Sequence, residues 1–392
     1  MASTSTITTL DSAQRPSSDG AAQLRLHSSS LASSPSAPSL PASSGRRPSG
    51  QSPSEGSSSA PSSTIWIPRL ILSTIILSAL LLPALYQPTL TNLWHTLLTS
   101  RIYTLSTLET LETMLCYFIL EPLYTYKFAH SPERRIDRRG PAAKRRDTTS
   151  REIPFKMKRP SARGWEMLTY AAPLLAMDLS MIKKFAGVDV AAIRESGGYP
   201  AAPSSSAAAS GIPGKTIHAT FLAPTLHNFS WSSPLQLHRA LPLEPPTSRR
   251  LLLELATAFF LYDALFFIIH ILFHRIALLS AIHSPHHRHA EMHPQVTNRL
   301  SVAERLSLVL MANFALNGIG AHVLTRTLFV PLFVYLLIDV HSGLDLEWGY
   351  DKVLPWGMGA GARKHARHHR EGKEGFAPFF GWWDGLAERL AW

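Results

Sequence analysis

LLLELATAFFLYDALFFIIHILFH, residues 251–274, is the stretch on which the reading of the fold turns. Leu251–Phe273 is almost wholly apolar, and as a helix of this length it extends roughly 35 Å, enough to cross a bilayer. His270 and His274 close the stretch four residues apart, so both rings fall on one face of that helix. Asp263 lies seven residues before His270 on the same stripe, and a carboxylate inside a membrane helix is a functional residue by default. It can hydrogen-bond a ligand or line a substrate path, with a polar contact between helices as the plain alternative. The stretch predicts an all-α, integral membrane domain that delivers histidines to one end of its helices.

Other apolar blocks support that reading. Leu306–Val340 is broken near NGIGAHVLTR, where Gly318 and Gly320 suit the turn of a helical hairpin. TIWIPRLILSTIILSALLLPALY at 64–86 is long enough to span, while 102–126 carries Glu109 and Glu112 and reads as a packed second span or an interfacial helix. The division expected is therefore a disordered Ser/Pro-rich tail over 1–63, transmembrane segments over 64–126 and a basic cytosolic loop over 127–163. A membrane-associated segment with a low-complexity insertion follows over 164–250, and a catalytic domain over 251–392. The first apolar stretch begins too deep for a cleaved signal peptide, so its helix is expected to stay.

A formal charge of +11 would suggest a nucleic-acid partner in a soluble protein, but much of the excess lies between Lys127 and Arg163, directly after a hydrophobic segment. The positive-inside rule accounts for it there, and no recognition motif accompanies it. Cys116 is the single cysteine and sits in an apolar run, so disulfides within the chain and thiolate metal sites are excluded. Any metal must be held by histidine and carboxylate.

Twelve of the eighteen histidines fall between positions 270 and 369. HILFH supplies His270 and His274; HSPHH supplies His283, His286 and His287; HARHH repeats that spacing at His365, His368 and His369. On one helical turn the i and i+3 rings are expected together, with the i+4 ring beside them. If the basic loop is cytosolic and 164–186 crosses the membrane, the helix 251–273 returns, and His274 and His341 emerge at the same face. Three clusters meeting there are a metal site rather than solvated surface, and imidazoles without thiolates suit iron, copper, nickel or zinc. Eight or more rings exceed what one ion takes, so two ions are the natural count.

These boxes, with DVHSGLDLEW and the terminal FAPFFGWWDGL, resemble the fatty acid hydroxylase superfamily of membrane di-iron enzymes, which includes sterol desaturases and sterol methyl oxidases. The resemblance implies oxygen-dependent oxidation of a lipid C–H bond by two non-haem irons, with electrons from cytochrome b5 and its reductase at the endoplasmic reticulum and the histidine cap facing the cytosol. Carried over residue by residue, it assigns His270, His274, His283, His286, His287, His365, His368 and His369 as ligands, and adds His341. Asp345, four residues after His341, is expected to orient an imidazole. His322 matches a further family histidine but is expected at the opposite membrane face, in a structural role. His289 and His293 are read as solvated surface. Trp382, Trp383 and Asp384 resemble the family's terminal segment and are expected to pack the cap. A sterol or sterol-like lipid is the substrate that the resemblance favours. A fatty-acyl or sphingolipid hydroxylase or desaturase, or a non-catalytic lipid-binding homologue, stays open. A zinc hydrolase would want H-E-x-x-H, which is absent.

Overall fold

The computed structural model describes residues 65–105, 107–139, 163–184, 241–289, 291–372 and 374–389. The Ser/Pro-rich tail, most of the basic loop and most of the insertion lie outside these residues. Among the described residues the protein is helical, with two isolated bridges, Arg135 to Leu344 and Gly359 to Phe380, and no strand.

The long apolar stretch forms α6, Ser248–Arg275, whose first turn is capped by the Thr247 hydroxyl accepting from the Arg250 N–H. A sharp turn at Ile276 leads into α7, Ala277–His287. The hairpin consists of α8, Val302–Gly318, and α9, Val323–His341, joined through Gly320 at φ +59, a value that glycine adopts without steric cost. α6 and α9 are each long and apolar enough to cross a membrane. They run the same way: His322 N–H, at the start of α9, donates to Glu254 Oε2 at 2.8 Å, while His270 and His341 lie at the far ends.

Upstream, α1 (Trp66–Leu81) and α2 (Pro83–Thr99) meet at 89°. The continuous span expected over 64–86 is therefore not formed. Pro83 has no N–H to continue the ladder and its ring clashes with the preceding turn, so the helix breaks at Leu82. α1 lies antiparallel to α6, because Ser248 Oγ donates to the Ala79 carbonyl at 2.8 Å while Arg69 donates to the Val353 and Lys352 carbonyls. α2 crosses beneath the end opposite the histidines, where the fully buried Trp94 ring meets His322 edge-on at 4.6 Å.

α3, Leu108–His130, pairs lengthwise with α9, held by Arg326 on Glu109 at 2.7 Å near one end and Tyr124 on Asp339 at 2.8 Å near the other. A short helix, α4 (Ile136–Arg139), then touches the histidine end through Ile136 N–H on the Gly343 carbonyl. α5, Gly164–Lys184, starts at a buried ion pair of Arg163 and Glu121 and runs antiparallel to α3, since Tyr170 packs at a tilt against Tyr117. The chain finishes with α10 (Tyr350–Val353), α11 (Gly361–Glu371) and α12 (Trp382–Arg389) around the histidine end.

Candidate metal centre

The histidines are supplied by four helices: the ends of α6 and α9, and one face each of α7 and α11. On α11 the alternation is sharp, with His365, His368 and His369 buried and Lys364, Arg367 and Arg370 exposed. The cations therefore face away from the imidazoles.

The nine rings form two groups. His270, His274, His283, His287 and His368 bring one ring nitrogen each within 4.8 Å of one another; His286, His341, His365 and His369 do the same. Each H-x-x-H-H box is divided between the two. HSPHH gives its i and i+4 rings to the five-imidazole group and its i+3 ring to the four-imidazole group, and HARHH does the reverse. The expected pairing of i with i+3 in one site is thus corrected. Successive helical residues are turned by about 100°, so the adjacent i+3 and i+4 rings diverge and cannot serve one ion, while i and i+4 differ by only about 40°. The groups abut: His287 and His369, one from each, stack at 4.3 Å.

Hydrogen bonding fixes which nitrogen faces inward. Nδ1 of His270 lies 2.9 Å from the Phe376 carbonyl, that of His368 2.8 Å from the Glu374 carbonyl, and that of His341 2.7 Å from the Leu337 carbonyl. Carbonyls only accept, so each of these Nδ1 atoms carries the proton and each neutral ring turns a bare Nε2 inward. The inward atoms face one another. Nε2 of His270 is 3.1 Å from that of His368 and 3.2 Å from that of His283, which is 2.9 Å from that of His287. In the other group His341 Nε2 lies 3.2 Å from His286 Nε2 and 3.0 Å from His365 Nε2, which is 3.1 Å from His369 Nε2. Lone pairs directed at lone pairs repel, and a cation between them reverses the sign. Ions with bonds of 2.0–2.1 Å to imidazole hold neighbouring nitrogens roughly 2.8–3.4 Å apart, which is the spacing found. The residues fit two metal ions.

The surroundings keep the rings neutral, as ligands must be. Burial, reinforced by neighbouring imidazoles, pushes His286, His365 and His369 well below the ordinary histidine value. The same causes bring His287 down to about 3 and His368 to about 2.

A loop between α11 and α12 holds the carbonyls of Glu374 and Phe376 in place. Asp384 accepts from the Phe376 N–H at 2.9 Å and from the Ala377 N–H at 3.3 Å. Asp263, fully buried in α6, accepts from the Phe379 N–H at 3.0 Å. Asp263 thus reaches the imidazoles through this loop. Asp345 pairs with Lys352 at 2.5 Å and with Arg363 on α11. Burial pushes its carboxyl up, but these two cations outweigh that and hold it at about 2. Its part in the site is to moor α11.

His289 and His293 are not solvated. His293 is fully buried, and His289 is half-buried with Nε2 2.9 Å from Nδ1 of His369. The segment after α7 folds back beneath α9, where Gly343, at φ +67, lies so close that a Cβ would stand 2.1 Å from the Met292 carbonyl oxygen. Asp137 ties the same segment to α11, accepting from the Met292 N–H and from Arg370, each at 2.9 Å. His322 caps α9 at the opposite end, its Nδ1 accepting from the Leu324 N–H. Glu304 goes unremarked in the sequence reading. It accepts from the Nδ1–H of His283 at 2.5 Å, and its signal is the S-x-x-E capping box Ser301–Glu304 that starts α8.

The fatty acid hydroxylase family model matches residues 255–388. A cholesterol 25-hydroxylase-like protein of Danio rerio is 33% identical over 144 residues, which is 36% of this chain and 57% of the relative. Cholesterol 25-hydroxylase of Homo sapiens is 30% identical over 181 residues, 45% and 65% of the two chains. The C-4 methylsterol oxidase erg25 of Schizosaccharomyces pombe is 28% identical over 157 residues, 38% and 50% of the two. The matched part thus spans between half and two thirds of the length of these relatives. No solved structure matches the chain significantly. Residues 255–388, which contain both imidazole groups, are thus similar to the fatty acid hydroxylase family.

Proposed function

We propose that this protein is an iron- and oxygen-dependent oxidase of a membrane lipid, hydroxylating a sterol or sterol-like substrate. The observation that carries this is the pair of abutting, all-imidazole groups at the end of membrane-length helices. Two irons bound there would supply the reduction of oxygen that oxidation of an unactivated C–H bond needs. Overall the reaction joins one oxygen atom to the lipid and releases the other as water, consuming two electrons and two protons. The electrons fit a separate cytochrome b5 and its reductase.

The chain's own residues perform the holding and shielding. Five imidazoles form one site and four the other, their inward lone pairs fixed by the carbonyls and the carboxylate behind them. Beneath His270, Phe266 meets its ring edge-on at 5.0 Å, and Tyr262 packs between Phe333 and Phe379. This aromatic layer excludes water on the membrane side, where an apolar lipid would approach. The names of the sterol-oxidising relatives support a sterol over other lipids. The basic residues of 127–163, which leave from the histidine end after α3, support a cytosolic cap at the endoplasmic reticulum membrane.

Expression in a host of defined sterol and sphingolipid content tests the proposal by lipid mass spectrometry. His368→Ala and His369→Ala each remove a ligand from a different site, and each is expected to abolish the oxidised lipid that the wild type makes. A wild-type lipidome identical to that of both variants, from protein containing two irons per chain, would refute the assignment.

A further inference from the structure

The outward nitrogens of the two imidazole groups meet different partners. In the five-imidazole group His270 and His368 donate to neutral carbonyls, but His283 donates to the Glu304 carboxylate at 2.5 Å. In the four-imidazole group His341 donates to a carbonyl, His369 faces the imidazole of His289, and Nδ1 of His286 and of His365 has no hydrogen-bond partner among the described residues. Every outward nitrogen of that second group therefore meets a neutral partner or none. A formal negative charge backs only the first.

Glu304 is built to keep that charge where it is. It is 3% exposed, and its other oxygen accepts from the Ser301 N–H at 2.7 Å while the Ser301 hydroxyl accepts from the Glu304 N–H. It sits in the first turn of α8, where the helix dipole favours an anion. Phe273 stacks on the His283 ring with centroids 5.4 Å apart, which restrains the imidazole. A buried carboxylate is costly unless paired, and this one is hydrogen-bonded by His283 and the Ser301 N–H and interacts with the Arg305 charge.

We infer that Glu304 is a positioning residue that makes the two metal sites electronically unequal: by drawing on the Nδ1 proton of His283, it lowers the potential of the ion in the five-imidazole site. An imidazole whose far proton is shared with a carboxylate is a stronger donor to its metal, and a stronger donor stabilises the higher oxidation state. An ion bound beside His283 would then be the easier of the two to oxidise. The inference rests on the iron reading above.

Full-length protein in lipid nanodiscs, loaded anaerobically with ferrous iron, tests this by counting metal per chain and by spectroelectrochemical titration. Glu304→Gln keeps a hydrogen-bond acceptor and the capping box while removing the charge. Ser301→Ala weakens the same cap and leaves the charge. Wild type is expected to hold two irons and oxidise in two resolved steps. Glu304→Gln is expected to raise the lower step by a factor of about ten in its equilibrium constant, close to 59 mV for one electron, and leave the upper step in place. Ser301→Ala is expected to lose stability with both steps unmoved. Unmoved steps in two-iron Glu304→Gln protein, or an equal shift from Ser301→Ala, overturn the inference. Should Glu304→Gln fail to accumulate, Glu304→Asp retracts the charge by one methylene, and a smaller rise in the same step supports the inference while no rise overturns it. A wild type that binds no iron in any preparation overturns the iron reading instead, and is told apart by the metal count.

Discussion

Replacing Asp384 with alanine should loosen one metal site and spare the other. The carboxylate receives the N–H groups of Phe376 and Ala377, and the loop it pins presents the carbonyls of Phe376 and Glu374 to His270 and His368. Both rings belong to the five-imidazole site. Hydrogen bonds to a charged acceptor contribute about 1.5–3 kcal/mol each, so losing two sets an upper range of roughly 3–6 kcal/mol. Burial pushes the Asp384 carboxyl up, which erodes the advantage of the charge, and Phe376 is only half-buried, so water can replace one bond. The expected loss of stability is therefore about 2–4 kcal/mol. Metal affinity at the five-imidazole site should fall about 10–100-fold, the usual effect of losing a partner behind a ligating histidine. His341, His365 and His369 do not depend on this loop, so the other site should keep its affinity. Anaerobic chelator competition, read as two separate steps, measures both, with Asp384→Asn as a milder variant that retains one acceptor. Equal weakening of the two sites, or full affinity at the five-imidazole site of a destabilised protein, would refute the linkage.

Acid should destabilise the metal-free protein. His287, His289, His293 and His368 are held near 3, 4, 2 and 2 by burial, below the unfolded value near 6.5, so the unfolded chain takes up protons first as pH falls. Stability is intact above about pH 7 and is lost through 6.5 toward those values, at up to ~1.4 kcal/mol per pH unit for each proton; equal urea midpoints at pH 7.5 and 5.5 would contradict this. His322→Ala removes the cap of α9 and should cost about 1 kcal/mol while both metals stay bound, as metal counting and thermal unfolding would report. α5 ends and α6 begins at the end opposite the histidines. With the cap in the cytosol, the acceptor Asn228-Phe229-Ser230 should carry a glycan, seen as an endoglycosidase-sensitive band missing from Asn228→Gln. A glycan accepted instead at a site inserted within 140–162 would reverse the orientation.

Much of the helical frame is readable because the bilayer imposes a length and a polarity that single segments must satisfy alone. α6 and α9 carry that signature in their own residues. The bend at Leu82 was also written in the sequence, as Pro83, but an apolar count over 64–86 averages across a proline and misses it. The burial of His289 and His293 is hidden in the sequence for a different reason. Their segment is short and polar, and nothing local shows that Gly343 lets it pass under α9 or that Asp137 fastens it there. Glu304 shares that obscurity: it acts on an imidazole 21 residues away, and its capping box announces the start of a helix rather than that partner.

The histidine boxes show where spacing informs and where it misleads. H-x-x-H-H reads naturally as three rings for one ion, yet on a helix its last two members point about 100° apart. Adjacent histidines are thus the mark of a helix lying between two ions, with the first residue free to side with either. In α7 that first residue, His283, joins His287; in α11, His365 joins His369, and the odd ring of each box crosses to the other site. The exchange means that each site draws imidazoles from both helices. A variant lacking α11 should therefore lose both metals, whereas independent sites would leave the five-imidazole group with four of its rings and most of its affinity. Partial retention in that variant would show that the two boxes are separable after all.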